Sequence, residues 1–274
     1  MILTPKETVE QYINASISKT KMPYTHVLAK GILSGMMIAL GAACSNVAAH
    51  SIDNVGIARL LAGVVFPVGL MMVIFMGAEL FTGDCLMVMA INDKKITFLQ
   101  FIRTMLFVYV GNILGGVIIS VLIFCSGQLN YSSGRLGAYT IKVALCKSTL
   151  TPVQGITSGI LCNILVCAAV LIAMSCKDGA GKLLASFFVI LPFVTGGFEH
   201  CVANVYYLTA GMLSKCNSDY VSAAKEIYGI SDISRLCFKN IVLNNMIPVT
   251  LGNIIGGSLF VGIPMFYLNY KNKK

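Results

Sequence analysis

Near residue 200 the chain reads GGFEHCVANVYYL (196–208), with Glu199 and His200 adjacent in a long apolar run. Ionisable groups in such runs are expensive and mark function by default. A neutral imidazole can donate a hydrogen bond to an anion, and an ordinary pKa of about 6.5 also lets it exchange a proton. A second acid, Glu79, stands in GAELFTGD (77–84), again within an apolar run and followed by Thr82 and Asp84. A carboxylate beside a broken helix can accept from the amides that the break frees, so Glu79 and Glu199 are read as structural groups rather than proton carriers. Asp84 is read as a cap. A membrane enzyme using His200 and Cys201 would need more ligands, and His26 and His50 belong to a different run. No metal and no cofactor is expected.

The elements that must hold these residues follow from composition. The 274 residues are 57% hydrophobic and 11% charged, against about 25% charged in a soluble domain. This is the composition of an integral membrane protein. Apolar runs cover about 27–50, 58–92, 104–126, 153–176, 183–213 and 241–268, and about 20 helical residues cross a bilayer. Four runs fit one helix each. The second and fifth are overlong and carry Glu, Thr, Gly and His, which predicts broken helices. The net charge of +9 is dispersed between runs, so it signals topology and anion attraction, not nucleic-acid binding. Lysines in the tails and in the 93–103 and 177–182 connections place both termini in the cytoplasm of a plasma-membrane protein. The ten cysteines form no CxxC pair and are expected as free thiols. The N-terminal TPKETVEQYINASIS has a capping box at Thr4 and Glu7 and Pro5 at its first position. Its stripe of Val9, Tyr12, Ile13 and Ile17 predicts an amphipathic helix on the membrane or on a neighbouring subunit.

Three landmarks recur in order: GILSG (31–35) with GITSG (155–159), GAELFTGD (77–84) with GFEHCVAN (197–204), and GNILGG (111–116) with GNIIGG (252–257). Each half holds three crossings, so the second half inserts upside down, and inverted repeats place their shared site near mid-membrane. The divisions are an N-terminal helix (1–26), a first repeat (27–126), a connecting loop (127–152), a second repeat (153–268) and a basic tail (269–274). Glu79 and Glu199 are twins, whereas His200 aligns with Leu80. The unpaired histidine is the functional member.

ELFTGD (79–84), FEHCVAN (198–204) and Lys147 ahead of GILCNILVCAAV (159–170) together resemble the formate/nitrite transporter family, from about residue 4 to 268. Within the family the combination is similar to the hydrosulfide-channel branch of clostridial type. The resemblance implies an all-α, aquaporin-like protomer of six transmembrane helices, with broken second and fifth helices, assembled as a homopentamer. It implies passage of small monovalent anions: formate, nitrite or hydrosulfide. It sets His200 and Thr82 at the pore centre, with Lys147, Asn163 and Asn253 nearby. Phe66, Leu70, Leu80, Phe81, Val166 and Phe193 match the apolar constrictions. An anion pays heavily to cross such rings bare, so Lys147 is expected to draw it in and His200 with Thr82 to hold it. Two mechanisms stay open, passive conduction and proton-coupled transport of formate or nitrite. A cation transporter built on Glu79 and Glu199 is disfavoured by the basic excess and Lys147.

Overall fold

The computed structural model describes residues 2–271, so Lys273 and Lys274 of the expected basic tail lie outside the described residues. Five helical stretches are long and apolar enough to cross a membrane: Tyr24–Ala49, Val55–Phe75, Phe98–Cys125, Pro152–Ser175 and Phe238–Asn269. Two shorter apolar helices, Phe81–Asn92 and Gly179–Thr195, complete the apolar set. The runs expected to be overlong are the ones that split. The second divides into α3 (Val55–Val65), α4 (Val68–Phe75), α5 (Phe81–Asp84) and, after one 3₁₀ turn, α6 (Val88–Asn92). The fifth divides into α10 (Gly179–Thr195) and α11 (Cys201–Ser214). The unbroken spans are α2 (Tyr24–Ala49), α7 (Phe98–Cys125) and α9 (Pro152–Ser175). The last span combines α13 (Phe238–Asn240), α14 (Ile247–Ile255) and α15 (Ile263–Asn269), joined by two π-helical segments.

Both breaks have one backbone design. Each first half-helix ends at a glycine in the left-handed region, Gly77 (φ 62°) and Gly197 (φ 70°), a conformation that glycine alone adopts without penalty. The chain then extends through Leu80 (φ −115°, ψ 119°) or His200 (φ −113°, ψ 114°) before the second half-helix starts. The first amide of that half-helix meets an asparagine oxygen: Phe81 N–H donates to Asn112 Oδ1 at 3.0 Å and Cys201 N–H to Asn253 Oδ1 at 2.9 Å. The asparagine amides point back, Asn112 to the carbonyls of Gly31 and Glu79, Asn253 to those of Gly159 and Glu199.

That pattern corrects the first landmark. Gly31 corresponds to Gly159, so GILSG pairs with GILCN (159–163), one helical turn beyond GITSG. Both stretches carry small residues four apart, and either register suits close helix contact; the asparagine bonds select one. The close contact itself is real. A Cβ on Gly35 would lie 2.2 Å from the Asn112 carbonyl oxygen, and one on Gly252 would lie 2.2 Å from that of Ile156.

Helix α1 (Pro5–Lys21) has the expected capping box and proline. Its stripe does not lie on the membrane or on another subunit. Val9, Tyr12 and Ile13 are buried against α6, α9 and α15 of the same chain. The physical reason is polar: the Tyr12 hydroxyl donates to the Gly83 carbonyl at 2.7 Å, beside the first break. The segment 127–152 is more than a loop. It forms α8 (Arg135–Ser148), whose Leu136 and Ile141 pack with Tyr220 and Ala224 of α12 (Ser218–Tyr228) in a small core of their own. All ten cysteines are free thiols.

Candidate functional site

Thr82 and His200 come from opposite breaks and meet. Thr82 Oγ1 and His200 Nε2 are 2.9 Å apart, and both residues are buried. His200 is also the N-cap of α11: its Nδ1 accepts from the Ala203 amide at 3.1 Å. A nitrogen accepting from an N–H carries no proton, so the neutral ring is protonated at Nε2 and donates to the Thr82 oxygen. The Thr82 hydroxyl hydrogen is then left over, the one mobile donor at this point. Both ring nitrogens are thus engaged within the protein.

Apolar side chains surround the pair. The Phe66 and Phe193 rings meet edge to face at 5.5 Å, and Phe193 lies 5.9 Å from the His200 ring. Phe66, Phe193 and His200 line a cavity of about 620 Å³. Leu70 and Leu80 face a second cavity of about 250 Å³, which also reaches Tyr12, Lys19 and Asp84. Phe81 and Val166 are buried but border neither cavity; Phe81 packs at a tilt against Tyr109 with centroids 4.5 Å apart. Asn163 and Asn253 also border neither. Asn163 donates to the carbonyls of Thr82 (3.1 Å) and Asn253 (2.6 Å), and Asn253 binds backbone with both ends. They hold the breaks rather than face open space, because each helix break frees backbone groups that need partners.

The carboxylates have different partners from those expected. Among the described residues the Glu199 carboxylate accepts from no backbone amide. Its Oε1 pairs with Lys147 Nζ at 2.8 Å, and its Oε2 accepts from Asn204 at 2.7 Å and Asn245 at 3.1 Å. Lys147 sits in the last turn of α8, with Nζ 5.1 Å from the centre of the Tyr207 ring, and borders the larger cavity. At the other break Lys19 of α1 reaches both Glu79 and Asp84, and Lys30 lies 3.8 Å from Glu79. Asp84 is therefore an ion-pair partner and not a cap. Each break thus carries a glutamate, a polar residue five positions on (Asp84 or Asn204) and a lysine from a separate helix. Sequence reasoning missed Lys19, Asn112, Asn204 and Asn245. Asn112 was legible as the twin of Asn253 in GNILGG and GNIIGG. Lys19 was legible as the residue seven after Tyr12, on the same helix face. Asn204 was legible as the twin of Asp84 in GAELFTGD and GFEHCVAN, and Asn245 gave no signal. Among the described residues no cluster of three or more His, Cys, Asp or Glu is placed to hold a metal.

Comparison with known proteins identifies the family and the fold. Residues 6–267 match the formate/nitrite transporter family. The chain is 35% identical to the formate channel FocA of Haemophilus influenzae, covering 97% of this chain and 94% of that protein. It is 32% identical to a probable formate transporter of Methanothermobacter thermautotrophicus, covering 98% and 97%. Among solved structures it superposes on a pentameric formate channel with formate bound at a TM-score of 0.79 and 29% identity, covering 89% of this chain and 97% of that one. An ion channel of the same family superposes at 0.83 with 23% identity, covering 96% and 98%, which supports the fold alone. The relatives are named as channels and transporters, not enzymes. The chain is a multi-pass membrane protein and belongs to the formate/nitrite transporter family.

Proposed function

We propose that this protein passes small monovalent anions, formate foremost, across the membrane through the Thr82–His200 site. The observation that carries the reading is the 2.9 Å contact between a hydroxyl and an imidazole from two opposed helix breaks, walled by phenylalanine and leucine between two cavities. The recurring break geometry supports an aquaporin-like protomer of two inverted three-helix repeats, and the pentameric relative supports a homopentamer with one pathway per protomer. The lysine distribution favours both termini in the cytoplasm.

Lys147 and Lys19 stand at the two sides of the central site, each held by carboxylates. They soften the cost of bringing an anion to the apolar rings without offering it a tight trap. At the centre the Thr82 hydroxyl donates to the anion, while His200 fixes the hydroxyl's orientation. Direct proton donation from His200 Nε2 would leave an imidazolate, so any proton-coupled step needs an imidazolium first, and that form gives up the Ala203 cap. Passive anion passage is therefore favoured, with proton-coupled transport of formate or nitrite as the alternative. Hydrosulfide, suggested by the sequence motifs, is the second substrate reading. Flux of formate, nitrite and hydrosulfide into liposomes holding the purified protein, at one pH, tests the proposal. Formate uptake above that of empty liposomes is expected. No flux of any of the three refutes it.

A further inference from the structure

The larger cavity holds four cations: Arg59, Arg135, Lys142 and Lys147. Two are neutralised. Arg135 pairs with Asp53 and Lys147 with Glu199, each at 2.8 Å. Arg59 and Lys142 pair with no carboxylate among the described residues. Lys142 is positioned by rings instead, with Nζ 4.5 Å from the centre of Tyr228 and 6.0 Å from that of Tyr139. Arg59 is exposed on α3 and lies against the second helix break: a Cβ on Gly197 would sit 2.1 Å from its Nη1. The guanidinium thus stands against Gly197, two residues before Glu199, and borders the cavity that Phe66 and Phe193 also line. In the smaller cavity Lys19 faces both Glu79 and Asp84, and Lys182 also lines it.

Two uncompensated charges in a walled cleft raise the local concentration of anions. They do so differently. An ammonium is a compact point charge, whereas a guanidinium is a planar fork that matches two oxygens on one centre. Formate and nitrite have that shape; hydrosulfide does not. Resting on the anion-passage reading above, we propose that Arg59 is an anion-reading group at this mouth. It favours planar two-oxygen anions over hydrosulfide, and Lys142 adds charge without shape.

The test uses the full-length protein in liposomes, with half-saturation measured separately for formate and hydrosulfide supplied from this mouth. Arg59→Lys keeps the charge and removes the fork. It should raise the half-saturation for formate about threefold to tenfold relative to that for hydrosulfide, as expected for losing one charge-assisted hydrogen bond. Lys142→Gln should raise both by a similar factor. Arg59→Gln should raise both at an ionic strength of about 0.02 M, with the effect shrinking near about 0.5 M as screening shortens. An unchanged formate-to-hydrosulfide ratio in Arg59→Lys overturns the inference while leaving anion passage intact. Failure of that variant to assemble also overturns it, by placing Arg59 in the fold. A wild-type protein that carries neither anion removes both readings together.

Discussion

At the scale of residues, the buried charges are held as networks and behave as such. Glu199 binds Lys147, Asn204 and Asn245 at once, so Glu199→Gln leaves a lysine without its counter-charge. Breaking a buried pair by removing one partner costs about 3–5 kcal/mol. The variant should melt well below wild type in detergent and lose oligomer. Adding Lys147→Met should recover much of that stability, because the two changes share one interaction, while anion flux stays low. Independent, additive losses in the thermal melts would show that the ion pair is not the unit. His200→Asn keeps a donor but cannot exchange a proton near neutral pH. It should still assemble and pass anions electrogenically. Undiminished proton-coupled uptake through this variant, read as flux with luminal pH, would exclude the histidine from any proton step. The family resemblance set His200 beside Thr82, and in the structure the two side chains lie 2.9 Å apart. Sequence reasoning gave the glutamates at the breaks the wrong partners, because a carboxylate near freed amides is plausible until Asn112 and Asn253 are seen to take those amides first.

At the scale of elements, the asparagines and α1 hold the breaks in place. Asn112→Ala would strand the Phe81 amide and take from the Glu79 carbonyl its Asn112 donor in a buried site, at about 1–3 kcal/mol per unpaired group. Asn253→Ala should cost a similar amount at the other break, and the melting temperatures of the two variants should fall in parallel. A normal melt for either would mean that water or another side chain fills the place. Helix α1 docks through Tyr12 and through Lys19, which faces Glu79 and Asp84. Lys19→Met should free α1 and make the Met22–Pro23 junction far more sensitive to limited proteolysis, with the remaining spans intact. Resistance equal to wild type would mean that the apolar stripe alone holds α1. That stripe was visible in the sequence, but its partner was not. Amphipathicity says that a face is buried, and only the long-range pairing of Lys19 with residues 79 and 84 says against what.

At the scale of the whole molecule, one arrangement accounts for the unusual features of both halves. Two helices are interrupted, their breaks are closed by twin asparagines, and the two broken ends meet in one polar contact inside an apolar wall. The outline was legible because hydropathy records membrane crossings directly and the Gly-Asn strings record the repeat. The register of the first landmark was not, since small residues four apart allow two alignments of α9 until hydrogen bonds choose between them. The helices in 127–152 and 214–240 escaped notice because their apolar faces pack on each other and are too short for a span. The central claim is that the Thr82 hydroxyl, oriented by His200, is the donor that an anion meets at the middle of the pathway. The most direct measurement is formate flux in liposomes for wild type, Thr82→Ser and Thr82→Val, each confirmed as an intact oligomer. Thr82→Ser should retain flux and Thr82→Val should lose about tenfold or more, as expected for removing a buried hydrogen bond to a charged group. Wild-type flux through Thr82→Val would contradict the account.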